Sequence, residues 1–101
     1  MTSPPPELIN VTHYHQRAGA HPNARCVEAG TRWVELVTGG RGWVWHHESH
    51  TEVTPGTLLW HYPGDHTIGR SDFENPYRCL AVRFRTHEQG ERQVPRLSYW
   101  R

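Results

Sequence analysis

Trp33-Val34-Glu35-Leu36-Val37-Thr38-Gly39-Gly40-Arg41-Gly42-Trp43-Val44-Trp45-His46-His47 is followed, after a short polar interval, by Pro55-Gly56-Thr57-Leu58-Leu59-Trp60-His61-Tyr62-Pro63-Gly64-Asp65-His66. The first stretch is two runs of β-branched and aromatic residues separated by glycines. The second is one apolar run held between two Pro-Gly corners. Short runs of this composition, bounded by Gly and Pro, read as strands of an antiparallel sheet. Strand and corner alternate closely enough to close a small barrel, so the fold class is all-β, with a concave interior suited to a sensor pocket.

Working outward, strands are expected at 33–38, 42–47, 51–54, 57–62 and 77–85, with Glu48-Ser49 as the turn of the central hairpin. Leu8 to His15 reads as a first short strand in which Ile9, Val11 and His13 alternate against Asn10, Thr12 and Tyr14. Gln16 to Asn23, with Gly19 and Pro22, is a loop. Ahead of it, Pro4-Pro5-Pro6 favours an extended, unpaired arm. After Arg85 the chain turns polar through Gln93 and apolar again from Val94, then stops at Tyr99-Trp100-Arg101. These shifts divide it into an arm and first strand (1–15), a ligand-binding barrel (16–85), and a polar linker leading into a C-terminal extension that continues beyond this sequence (86–101).

Composition narrows the function. A chain of 101 residues supports one small core. Five Trp and four Tyr supply much of its buryable surface. The formal net charge is +1, every cationic side chain is Arg, and no basic run tracks phosphates, so this segment gives no reason to expect direct nucleic-acid binding. No apolar run is long enough to span a membrane. Cys26 and Cys79 lack metal or redox spacing and no apolar leader follows Met1, the pattern of a reduced, cytoplasmic chain. A Cys26–Cys79 disulfide stays open at this level. Neither a nucleophile elbow nor a phosphate-cradling loop is present, and Gly39-Gly40-Arg41-Gly42 are turn residues.

Glu35-Leu36-Val37-Thr38-Gly39-Gly40-Arg41-Gly42, the hairpin, and Pro55-Gly56-Thr57-Leu58-Leu59-Trp60-His61-Tyr62-Pro63-Gly64 together resemble the cupin-type effector-binding domain of AraC-family transcriptional regulators. Asn75-Pro76-Tyr77, the strand through Phe84, and Pro95 to Trp100 resemble that family's last barrel strand and the lead into its linker. The pattern departs from the family at Thr57, where Asp is usual, and at Tyr62, where a Pro is usual. The resemblance implies a cupin (jelly-roll) barrel that binds a small effector such as a sugar. Occupancy would be passed to a helix-turn-helix DNA-binding domain outside this chain, in a protein that dimerises, without catalysis. It also implies that Trp33, Glu35 and Val37 face inward.

Nine histidines make a metal-dependent cupin enzyme, acting on a sugar or small acid, the rival reading. Enzymatic cupins carry a His-x-His and Glu set plus a later His. Here no His-x-His directly precedes Glu35, and Thr67 stands at the later position with His66 one residue short. A one-residue shift turns a strand side chain to the other face. The alternative metal set is His46, His61, His66 and Glu35; the favoured reading has no metal and no cofactor. A dimerisation module without a ligand is a third reading.

The expected ligand-binding residues are Trp33, Glu35, Trp45, His46, Trp60, His61, His66, Tyr77 and Cys79. Trp45 and Trp60, with Trp43, offer flat apolar platforms, while His and Arg offer directional hydrogen bonds. Each Trp has an equally simple reading as core. Glu35 would be a carboxylate in an apolar barrel, which requires either a polar ligand or a structural partner such as Arg25 or Arg83. Tyr77 and Cys79 share a strand face, and Cys79 reads as a small buried hydrophobe rather than a nucleophile.

Overall fold

The computed structural model describes residues 4–46, 48–87 and 94–99. Eight strands follow one another: β1 (Glu7–His15), β2 (Thr31–Gly39), β3 (Gly42–His46), β4 (Ser49–Val53), β5 (Thr57–His61), β6 (Arg70–Ser71), β7 (Arg78–Arg85) and β8 (Leu97–Tyr99). They form a five-stranded sheet in the order β1-β7-β2-β5-β8 and a three-stranded sheet in the order β4-β3-β6. All pairings are antiparallel. The all-β expectation and all six expected strands are found. Ser49, expected in the central turn, already pairs with His46, and Glu48 takes the left-handed backbone (φ 63°).

The inner faces of the two sheets share one core. Val37 of β2, Val44 of β3, Val53 of β4, Leu59 of β5 and Tyr77, Cys79 and Ala81 on or beside β7 are buried together, with Ile68 from the loop before β6. Two glycines let the layers approach. Gly40 has a positive φ, and a Cβ there would be driven into the carbonyl of Pro76. A Cβ on Gly42 would meet the Tyr77 ring and the Ile68 side chain at 3.0 Å.

One irregularity sets which residues face the interior. Leu8 pairs with Phe84 and Asn10 with Arg83, so Ile9 is an extra residue bulged out of β1. From there onward Asn10, Thr12 and Tyr14 lie on the same sheet face as Arg83, Ala81 and Cys79. Val11 is left 54% exposed on the other side. The apolar alternation expected for β1 therefore runs along the outer face, and the polar set faces in. A bulge exchanges the two faces of a strand, and composition alone does not reveal one.

Two short strands were not anticipated. β6 pairs with the start of β3, and β8 adds to the outer edge of β5 through Leu97–Leu59, Ser98–Leu58 and Tyr99–Thr57. Sequence reading assigned β8 to the linker and extension, but part of that segment belongs to the sheet. The Arg96 guanidinium reaches both oxygens of Asp65, at 2.8 and 3.4 Å, and the Tyr62 hydroxyl donates to the Val94 carbonyl. Residues 1–3 of the arm, His47, residues 88–93 of the linker and residues 100–101 lie outside the described residues. No helix among those described is long and apolar enough to cross a membrane.

Candidate functional site

Register determines the site. On the inner face of the large sheet, Asn10, Arg83, Trp33 and His61 form one cross-strand row, and Thr12, Ala81, Glu35 and Leu59 form the next. Tyr14, Cys79 and Val37 form a third. The middle row carries the smallest side chain, Ala81, between Thr12 and Glu35, and a hollow opens over it. Its volume is about 270 Å³, equivalent to roughly nine waters at their liquid volume. That is room for a monosaccharide-sized molecule.

The hollow is graded in polarity. Asn10, Thr12, Asn23 and Arg25 are exposed at its rim; Tyr14, Trp33 and Arg83 are half-buried walls; Glu35, Thr67, Ile68 and Ala81 are buried at its base. Arg25 is positioned through its main chain. Its N–H donates to the Thr67 hydroxyl and its carbonyl accepts from the Thr67 N–H, both at 2.9 Å. The Arg83 guanidinium carbon sits 5.2 Å from the Trp33 ring centroid, a cation–π contact between directly paired residues.

Glu35 is 4% exposed. His61 Nε2–H donates to its Oε2 at 2.6 Å, and the Cys79 thiol donates to Oε1 at 3.5 Å. The carboxylate is thus held from behind by β5 and β7 while it lines the hollow. Neither Arg25 nor Arg83 forms an ion pair with it. Burial, and then the Glu35 charge, push the Cys79 thiol well above the usual thiol range, so it stays protonated and is no nucleophile. Burial, Glu35 and Cys79 push the enclosed Tyr77 hydroxyl upward in the same way. For Tyr14, whose hydroxyl donates to Gln16 Oε1, burial followed by Cys79 and Glu35 raises the pKa.

The residues expected at the site divide by strand face. Trp33 and Glu35 line the hollow. His61, Tyr77 and Cys79 are fully buried in the layer that supports Glu35 rather than in the lining. Trp60 is on the opposite face of β5, edge-on to Phe84 at 5.8 Å, because it is one residue from inward-facing His61. Trp45 is 47% exposed on the small sheet, with its ring against His50. His66 is exposed, and its backbone forms an isolated bridge to Cys26. Thr67 turns inward in its place, 6% exposed. The His46 side chain lies outside the described part of the structure. Of the alternative metal set, Glu35 and His61 meet and His66 faces away. Among the described residues no group of three or more His, Cys, Asp or Glu side chains is arranged to hold a metal ion. Cys26 and Cys79 are free thiols, one exposed and one buried.

Sequence reading did not select Asn10, Thr12, Tyr14, Asn23, Arg25, Thr67, Ile68, Ala81 or Arg83 as ligand contacts. Counting by twos along β7 from Cys79 gives Ala81 and Arg83, so part of the lining was accessible from parity. The β1 residues required the bulge.

Two antiparallel sheets packed on one core, with a hollow over the inner face of the larger and no helix among the described residues, define a cupin-like, all-β domain. The family model of the AraC-like ligand binding domain matches residues 33–90, more than half of the sequence, and the chain belongs to this family. Such domains are typically regulatory rather than catalytic. No curated protein matches the chain.

Proposed function

We propose that this domain senses a small hydroxylated molecule, such as a sugar, in the hollow over Ala81 and thereby controls a helix-turn-helix DNA-binding domain of the same protein. The observation that carries the reading is the setting of Glu35: a buried carboxylate held by His61 and Cys79 at the base of an open hollow. A carboxylate so placed can accept hydrogen bonds from ligand hydroxyls. Thr12, Asn10, Asn23 and Thr67 add neutral donors and acceptors, and Trp33 adds a ring. Membership of the AraC-like family supports the regulatory role.

In this reading the site needs no resident metal or cofactor and performs no reaction. Occupancy must favour one of two states of the protein. Ordering of the Pro-rich arm ahead of β1, or altered docking of the partner domain, would provide them. Homodimerisation, cytoplasmic location and DNA contact through a separate domain belong to the same proposal.

The test is a thermal-shift and calorimetric screen of the purified chain against monosaccharides and their derivatives. A ligand at one hundred times its Kd stabilises by about 2.7 kcal/mol, which is easily read as a rise in Tm. Glu35→Gln should weaken the hit at least about tenfold, as expected for loss of a charged hydrogen bond. An undiminished hit would remove Glu35 from the site. A full equivalent of transition metal in the purified protein would instead favour the metal-dependent enzyme.

A further inference from the structure

Arg25 and Arg83 line the same hollow from two different elements, the 16–30 loop and β7. They also line, with Trp33, a smaller adjoining recess of about 70 Å³. Both arginines are thus shared between hollow and recess. Among the described residues neither guanidinium makes a hydrogen bond or ion pair. Other arginines are differently placed: Arg41 pairs with Glu52 and Asp72, Arg85 with Glu7, and Arg96 with Asp65.

Each residue is held at one point, Arg25 by its main chain and Arg83 by its side chain. The main chain of Arg25 is tied to Thr67 at N and O. Arg83 lies over the Trp33 ring, which leaves the N–H edge of its planar guanidinium for a second partner. Glu35, the acidic residue of the lining, is occupied from behind by His61 and Cys79. Positive charge thus sits at the rim and walls, and the acceptor sits at the base. Glu28 also lines the recess, but among the described residues it pairs with neither guanidinium, and two cations lining one hollow are complementary to a carboxylate.

Resting on the small-molecule reading of the hollow, we infer that its ligand is a compact hydroxylated carboxylate of the sugar-acid class. Its carboxylate lies between Arg25 and Arg83, and its hydroxyls reach inward to Glu35, Thr12 and Thr67. Trp33 lies beneath the ring or chain that joins these two ends. The polarity gradient fixes the orientation, because a carboxylate placed beside Glu35 would meet like charge.

The test uses nitrogen-15-labelled protein and matched probes, D-glucuronate with D-glucose and D-galacturonate with D-galactose, titrated at constant ionic strength. The Arg25 and Arg83 Nε–H, the Trp33 indole N–H, and the amides of Thr12, Glu35 and Ala81 are followed. At least one uronate should shift these signals saturably, with affinity at least about tenfold above that of its neutral sugar. Arg25→Gln, at an exposed position, and Arg83→Gln should each remove most of that preference. Arg17→Gln, the same charge change on the exposed loop away from the lining, should leave it intact. If the neutral sugars shift the Thr12, Glu35 and Ala81 amides as strongly as the uronates do, the carboxylate inference falls and the binding hollow stands. If neither member of either pair shifts them saturably, both fall. A preference that survives both arginine substitutions would also overturn the inference.

Discussion

Ala81 is the residue that keeps the hollow open. It stands between Thr12 and Glu35 in one cross-strand row, and any longer side chain there would occupy the space a ligand needs. Ala81→Leu should abolish ligand-induced thermal shifts while changing the ligand-free stability by less than about 1.5 kcal/mol, since the added methylenes enter existing space. Retained binding in this variant would place the ligand elsewhere. The Glu35–His61 pair makes a different kind of prediction. Removing His61 leaves a buried carboxylate without its principal donor, so His61→Leu should cost about 3 kcal/mol in urea unfolding, and Glu35→Leu/His61→Leu should recover most of it. If the double variant is no more stable than the single one, the carboxylate is not what His61 compensates.

Between single residues and the sheet lies the element most exposed to conditions, β8. It is attached to β5 by three register pairs and secured by Arg96 on Asp65. Burial alone would raise the Asp65 pKa, but the Arg96 hydrogen bonds and the Tyr62 N–H outweigh it and hold the carboxyl below the usual aspartate range. A depressed folded value means that the contact stabilises fully above the ordinary aspartate pKa of about 3.9 and is lost as pH falls through the folded value. The protection of the Trp60 amide, which donates to the Arg96 carbonyl, relative to its intrinsic exchange rate at the same pH should therefore fall on strong acidification. Asp65→Asn should give faster exchange already at neutral pH, with a cost of about 1 kcal/mol for a partly exposed pair. Exchange at Trp60 that is unchanged in Asp65→Asn would show that β8 is held by its packing alone.

At the scale of the molecule, the fold was legible because the strand signals are strong and local. Trp33 to Thr38, Gly42 to His46 and Thr57 to His61 carry β-branched and aromatic residues up to their glycine and proline boundaries, and all three are strands. The two-residue β6 and the three-residue β8 gave no such signal, since they exist through pairing with β3 and β5 rather than through propensity. The site was legible only where one strand sufficed. Trp33 and Glu35 follow from the parity of β2, and Ala81 and Arg83 were accessible in the same way along β7 from Cys79. Trp60 and His61 are neighbours that face opposite ways, so a list by residue type could not separate them. Asn10, Thr12 and Tyr14 depend on the Ile9 bulge. Long-range register decides such positions, and a single sequence records it weakly.

The twin hydrogen bonds between Arg25 and Thr67 separate two roles that one residue usually combines. The loop is anchored by the main chain of position 25, whereas the charge offered to a ligand belongs to its side chain. Exchange of that side chain alone can thus change what is recognised without loosening the scaffold, which makes position 25 a natural starting point for retuning the domain into sensors for other molecules.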